Sequence, residues 1–291
     1  MRSWLFVPGD SARKQQKSLD CGADVLILDL EDSVAASEKE AARKMTRDFI
    51  TATKPSQRRP KLYVRVNDLG TGLTAADLDG VMPAGPDGIM LPKAVGGRDL
   101  IELDNRLSAA ESELGLASGA TRIIPVATET AAAVLALPSV SGSTKRMVAL
   151  TWGAEDLAAD VGAESNIESG DKYTTPYLVT RALALFAAVA SAVDPIDTAY
   201  VNYKDTDKFA ADCRISRRDG FVGRIAIHPA QVPVINETYS PSAAAIARAR
   251  KIVQAFDSNP GLGVIGIDGE MLDMPHYRQA KRILRRIEAT E

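Results

Sequence analysis

Apolar residues along the chain fall into short runs, separated by longer stretches in which they recur every three or four positions. The short runs, at residues 3–7, 24–29, 61–66, 88–91, 122–127, 147–152, 196–201 and 224–228, are predicted as eight strands. Several, such as VLIL, IIPVA and RIAIH, are apolar almost throughout, which marks strands buried on both faces of a parallel sheet. The stretches between them carry helical period. Ser37 and Glu40 have the spacing of a capping box, and Ala41, Met45 and Phe49 follow on one face. After Arg98, a second stripe of Ile101, Leu103, Leu107, Ala110 and Leu114 breaks near Gly115 and Gly119. Residues 177–193 form an Ala-rich helix expected to be covered on most sides. This inventory is that of a (β/α)8 TIM barrel over residues 1–232, with a doubly wound open sheet as the competing architecture. The pattern then changes: a helix over 240–256, a Gly-rich apolar hinge over 261–269 and a basic helix over 275–288 make a C-terminal extension, 233–291, acting as a lid or a subunit contact.

Composition narrows the function classes. The chain has 291 residues, ample for a full core, and 35 Lys+Arg against 38 Asp+Glu give a net charge of -3 with no blocks of one sign. That balance argues against nucleic acid or an anionic membrane as partner. Cys21 and Cys213 are far apart and outside any CxxC spacing, so neither a disulfide framework nor a four-ligand zinc site is expected. The N-terminal apolar stretch is too short for a signal-peptide core, and the apolar run over 182–193, interrupted by Ser191, falls short of the roughly 20 residues that span a bilayer. A soluble, cytoplasmic protein is expected.

In a barrel the chemistry sits at the carboxyl ends of the strands. The polar residues there are Asp29, Glu31 and Asp32 after the second strand, Arg65 and Asn67 at the third, Lys93 after the fourth, Glu129 after the fifth, Glu155 and Asp156 after the sixth, and His228 after the eighth. Glu129 and Asp156 end adjacent strands, and oxygen ligands without Cys or His beside them suit Mg2+. The alternative is that each caps the helix that follows. Arg65, in the otherwise apolar strand LYVRV, calls for an anion: a substrate carboxylate, or a structural partner among the second-strand acids. Asp29, Glu31 and Asp32 are expected to orient Arg65, Lys93 or water around a metal. His228, followed by Pro229, is a candidate base or a backbone-bonded packing residue, and His276 is expected in solvent. Cys21 and Cys213 have no His partner in a nucleophile motif and are read as non-catalytic.

The ordered set RSWLFVPGD from Arg2, ADVLILDLEDSV from Ala23, YVRVN from Tyr63, GIMLPKA from Gly88, TETA from Thr128, WGAEDLAADVG from Trp152, AIHPAQVPVIN from Ala226 and MLDMP from Met271 closely resembles the citrate lyase beta-subunit-like branch of the HpcH/HpaI aldolase superfamily. The resemblance covers nearly the whole chain. It implies a TIM barrel, a Mg2+-dependent carbon–carbon lyase working beside a CoA thioester, and a homotrimer or hexamer. Carried over by motif, Glu129 and Asp156 become the metal ligands, and Arg65 the contact to the oxo acid or its hydroxyacid precursor. Arg2 and Lys14 become contacts to CoA phosphates or pantetheine, with Arg13 and Lys17 interchangeable with Lys14. Asp273 in MLDMP corresponds to an aspartate that, in free-standing CoA lyases, enters a neighbouring subunit's site as general acid/base.

The resulting expectation is a lyase that cleaves or forms a malyl-CoA- or citramalyl-CoA-like 3-hydroxyacyl thioester, giving acetyl-CoA and an oxo acid. Its competitors are the beta subunit of a multi-subunit citrate lyase, a malate-synthase-like enzyme that also hydrolyses the thioester, and a non-catalytic CoA-thioester-binding protein. MLDMP favours a stand-alone CoA enzyme, and intact Arg65, Glu129, Asp156 and Asp273 disfavour a non-catalytic protein.

Overall fold

The computed structural model describes residues 1–168 and 172–288. Its first unit, Met1–Tyr239, is a barrel; Ser240–Glu291 forms a second. In chain order the first unit runs β1 (Ser3–Pro8), α1 (Ala12–Ser18), β2 (Val25–Asp29), α2 (Lys39–Thr53), β3 (Lys61–Arg65), α3 (Thr74–Val81), β4 (Gly88–Leu91), α4 (Gly97–Glu113), β5 (Arg122–Pro125), α5 (Ala131–Ala136), β6 (Ala149–Leu150) and α6 (Glu155–Val161). It continues through the short hairpin β7 (Ile167–Glu168) and β8 (Lys172–Tyr173), then α7 (Thr175–Ala190), β9 (Asp194–Asp197), α8 (Thr206–Asp219), β10 (Gly223–Ala226) and α9 (Gln231–Tyr239). Eight strands pair in parallel in the order β5-β4-β3-β2-β1-β10-β9-β6. Bridges Ile123↔Met147 and Val126↔Thr151 join the two ends, so the sheet closes and the open-sheet alternative falls.

Alternation along the strands sorts side chains to two faces. Trp4, Val25, Ile27, Tyr63, Met90, Ile124 and Ile196 fill the barrel interior. Leu5, Leu26, Leu28, Val64, Ile89 and Leu91 face the helices, where Phe49, Leu78, Leu103 and Leu107 cover them. In-register pairing of Asp29 with Arg65 puts both side chains on the inner face at the carboxyl pole, next to Phe6.

Several local expectations need correction. Ser37 lies in a 3-10 turn and caps nothing. Helix α2 starts at Lys39, so its buried face is Ala42, Thr46, Phe49, Ile50 and Thr53, one position round from the expected stripe. On α4 the stripe keeps Leu103 and Leu107, but Leu100 and Glu111 are buried while Ile101 and Leu114 are exposed. Helix α7 is not covered: Leu178, Val179, Phe186 and Val189 are exposed.

The second unit contains α10 (Ala243–Asp257), β11 (Val264–Ile267), β12 (Glu270–Asp273) and α11 (Met274–Glu288). Ser242 caps α10 by accepting the Ala245 N–H. The Gly-rich segment is no hinge. It is an antiparallel hairpin in which Ile267 pairs with Glu270 and Asp268–Gly269 turn with φ of 51° and 83°, the left-handed pair that a tight two-residue loop requires. Ala249, Ile252, Phe256, Ile267, Leu272 and Ala280 form this unit's own core. No helix among the described residues is long and apolar enough to cross a membrane.

Candidate active site

The carboxyl pole is built round Arg65. Its Nε and Nη2 donate to Asp29 at 2.7 and 2.8 Å, a two-pronged contact that fixes the guanidinium plane 4.6 Å over the Phe6 ring. Asp29 also accepts the Glu31 and Ser33 N–H groups, at 2.9 and 3.2 Å. Burial alone would raise the Asp29 carboxyl, but Arg65 and these donors outweigh it and hold it below the usual range. Arg65 Nη1 points to the next acids, 2.9 Å from Glu31 Oε2 and 3.6 Å from Asp32. That geometry leaves Glu31 Oε2 buried without a hydrogen bond, and burial raises the Glu31 carboxyl despite Arg65 and Lys93.

Lys93 ties this group to the next strands. Its Nζ donates to Glu31 Oε1 at 2.5 Å and lies 3.7 Å from Asp156 Oδ1, while its backbone N–H donates to Glu129 Oε2. This double use goes with a backbone φ of 50°, left-handed for a non-glycine residue, and such strain persists only where the surroundings impose it. Glu129 is buried, 3% exposed, and its carboxyl is pushed up to about 8, first by burial and then by Asp156 and Glu31 against the Lys93 N–H. Asp156 is more open, in the first turn of α6.

The capping alternative is not realised for Glu129. Thr130 caps α5 by accepting the Ala133 N–H, and Asp160 takes the Ala131 N–H. At Asp156 the first turn of α6 is preceded by Ala154 as N-cap, with no side-chain cap bond. Sequence reasoning missed Gly153. A Cβ there would stand 2.5 Å from Glu129 Cγ, so only glycine allows the sixth-strand loop to press on that side chain. The glycine in WGAED was the available signal. Asn67, two residues after Arg65, is buried and joins Leu30 O to Asp77, bracing the segment after β2 against α3.

Other expected residues lie elsewhere. Arg2 stands at the amino end of β1, bonded to Asp24 at 2.8 Å, at the pole opposite the acids, so a substrate contact there is withdrawn. Lys14 is exposed on α1, which follows the carboxyl end of β1. His228 takes the backbone-bonded form: Nδ1 accepts the Ala230 N–H at 3.2 Å and the ring stacks on Tyr203 at 4.5 Å. Asp273 ends β12 in the second unit, its Oδ1 2.6 Å from His276 Nδ1, so His276 has a protein partner. Both cysteines are unpaired.

The donor set fits a hard divalent cation. Asp29, Glu31, Asp32, Glu129 and Asp156 gather at this pole with Arg65 and Lys93 as their ion-pair partners, their donors are all oxygen, and Glu31 Oε2 is buried without a hydrogen bond. Among the described residues no cluster of three or more His, Cys, Asp or Glu forms a metal cage. Two carboxylates with the rest of the shell left to water and substrate is the arrangement Mg2+ favours.

Fold and pole together define a (β/α)8 barrel enzyme with a carboxylate-rich centre. The HpcH/HpaI aldolase/citrate lyase family model matches residues 2–229. The citrate lyase subunit beta of Escherichia coli (strain K12) is 30% identical over 99% of this chain and 93% of its own length. The L-malyl-CoA/beta-methylmalyl-CoA lyase of Cereibacter sphaeroides is 32% identical over 99% of this chain and 94% of its own. A crystal structure of Mycobacterium tuberculosis CitE in complex with magnesium, acetoacetate and coenzyme A superposes with a TM-score of 0.78 at 31% identity, covering 98% of this chain and 97% of that one. The chain belongs to the HpcH/HpaI aldolase/citrate lyase family. It is a carbon–carbon lyase.

Proposed function

We propose that the chain cleaves, or in reverse forms, a 3-hydroxyacyl-CoA thioester of the malyl-CoA or citramalyl-CoA type, giving acetyl-CoA and an oxo acid with Mg2+ held by Glu129 and Asp156. The observation that carries this reading is the excess of carboxyl groups over cations at one pole, with buried Glu129 among them pushed up to about 8. The M. tuberculosis relative bound to magnesium, acetoacetate and coenzyme A supports it.

The ion supplies Lewis-acid polarisation of the carbonyl that forms on the oxo-acid half. Arg65 cannot lose its proton in this setting, and Asp29 fixes its plane, so it offers a preorganised positive charge where oxyanion character grows. Lys93 holds Glu31 and, through its N–H, fixes one oxygen of Glu129. In cleavage the hydroxyl gives its proton to water as the carbonyl forms, the C2–C3 electron pair passes into the thioester enolate, and Asp273 gives a proton to the enolate carbon and regains one from solvent; condensation reverses each transfer. Asp273 belongs to the second unit, and we assign that unit to reach the site of a neighbouring protomer in a homotrimer or hexamer. Lys14 is assigned to the CoA phosphates.

The test is a panel of malyl-, citramalyl- and 3-hydroxy-3-methylglutaryl-CoA with Mg2+, followed for acetyl-CoA release. Turnover on one thioester, abolished by Asp156→Ala with the fold intact, is expected. No turnover on any, and no condensation in reverse, refutes the reading. A second reading, citryl-thioester cleavage as a citrate lyase beta subunit, draws on relatives of that name matched over 92–96% of their length. Activity on citryl-acyl carrier protein but not on CoA thioesters selects it.

A further inference from the structure

A chain of buried contacts leads from α7 and the carboxyl end of β9 to the loop after β6, and none of the chemistry above uses it. Trp152, directly after the sixth barrel strand, is 1% exposed, and its Nε1–H donates to Asp197 Oδ1 at 2.7 Å. Asp197 ends β9 and is as deeply buried. It accepts Arg181 Nη2 at 2.9 Å and its own neighbour's N–H, Thr198, at 3.0 Å. Arg181 is itself fixed by Asp219 at 2.8 Å and lies 4.7 Å over Phe221. The edge-to-face contact of Trp152 with Tyr173, at 5.1 Å, closes round the indole. A charged acceptor that is itself clamped fixes the ring's direction in a way that apolar packing does not.

The residues just beyond Trp152 give this clamp a target. Gly153 is the residue pressed on Glu129 Cγ, and its N–H donates to Thr128 Oγ1, beside Glu129, at 3.2 Å. Asp156 lies in the first turn of the short helix immediately after it. Only one planar peptide separates Trp152 from Gly153, so anchoring the indole restrains the backbone that also carries the glycine. Tenths of an ångström matter where a Cβ has no room.

We infer that Asp197, acting through Trp152, is a positioning residue for the Glu129–Asp156 pair, holding Gly153 against Glu129 so that the two carboxylates stand together round one cation. The inference rests on the assignment of Glu129 and Asp156 as the metal ligands. It concerns a residue that touches neither substrate nor ion.

Mn2+ binding to the full chain, read from the loss of the free-ion electron paramagnetic resonance signal, tests it apart from turnover. Trp152→Phe keeps an aromatic ring beside Tyr173 and removes the N–H donor together with part of the indole's volume, a loss of packing read separately from the unfolding temperature; Asp197→Asn keeps an acceptor and removes the charge. Glu111→Gln is the control: it weakens a comparable buried arginine cluster, round Arg146, at the opposite pole. Trp152→Phe and Asp197→Asn are expected to weaken Mn2+ binding by about tenfold, as loss of outer support to metal ligands does. Glu111→Gln is expected to lower the unfolding temperature and leave Mn2+ affinity at the wild-type value. Wild-type affinity in Trp152→Phe, or weakening in all three variants in proportion to lost stability, overturns the inference. Should Asp197→Asn fail to fold, Trp152→Phe decides alone. Glu129→Ala separates the two levels: if it binds Mn2+ like wild type, the metal assignment has failed and this inference falls with it; if it does not bind, the variants report on positioning.

Discussion

Glu129 makes a pH-dependent prediction that can be worked through. Its carboxyl, ordinarily near 4.5, is pushed up to about 8 by burial first and by Asp156 and Glu31 next. At about 1.4 kcal/mol for each tenfold change, the environment favours the neutral acid by about 5 kcal/mol. A cation must displace that proton to bind. Apparent Mn2+ or Mg2+ affinity therefore rises about tenfold per pH unit up to pH 8 and levels off above it. For the metal-free protein the sign is the reverse. The folded chain keeps a proton that the unfolded chain releases above 4.5, so this contribution to stability is complete below 4.5, declines as pH rises and is gone above about 8. Calorimetric Mn2+ titration in two buffers of different ionisation enthalpy is expected to show about one proton released per ion near pH 6.5 and almost none near pH 9. Urea unfolding of metal-free wild type against Glu129→Gln isolates the same group, since only the wild type should lose this stability across the window. Equal proton release at both pH values, or a wild-type slope in Glu129→Gln, would refute the reasoning.

The same geometry sets three further outcomes. Gly153→Ala places a Cβ 2.5 Å from Glu129 Cγ; urea unfolding should show a loss of about 1–3 kcal/mol, and Mn2+ binding should weaken, whereas unchanged binding would mean that Glu129 has room to yield. Arg65→Lys cannot reproduce the paired contact to Asp29 together with the approach to Glu31, so kcat/KM should fall by about ten- to a hundredfold; wild-type kinetics would remove Arg65 from the site. Mixing Asp273→Asn with Glu129→Ala protomers, each inactive alone, should restore some activity if Asp273 works across a subunit boundary, and failure would place it in cis.

Much of the barrel could be read from apolar runs because parallel strands are buried on both faces, as at Val25–Asp29. The sixth strand shows why boundaries slipped: regular pairing is confined to Ala149–Leu150, and isolated bridges at Met147 and Thr151 finish the closure. The acids and cations at the strand ends were legible for the same reason that the strands were. Whether Arg65 met a substrate or a second-strand acid was not, since that turns on the register Asp29↔Arg65. Lys93 was found as a cation, but its left-handed backbone and its N–H to Glu129 depend on the path of a turn that local pattern does not encode. Asp197 stayed hidden because its partners, Trp152 and Arg181, come from two other elements.

The two poles of the barrel differ in a way that composition conceals. At the amino ends four buried or half-buried acids have an arginine: Asp24 has Arg2, Asp87 has Arg59, and Asp104 and Glu111 share Arg146. Burial opposes ionisation of all four, yet the arginines win and hold them below their usual range, Glu111 at about 2. At the carboxyl ends Asp29 and Asp197 are treated in this way, Asp29 by Arg65 and Asp197 by Arg224 and Arg181. Glu31 and Glu129 are instead raised, and Lys93 is pulled between Glu31, Asp32 and Asp156. A chain able to neutralise buried acids so fully at one pole has no structural need to leave them in excess at the other. Such an imbalance costs stability that a ligand of opposite charge recovers, and this supports the proposal that Glu129, buried and raised, holds a cation together with Asp156.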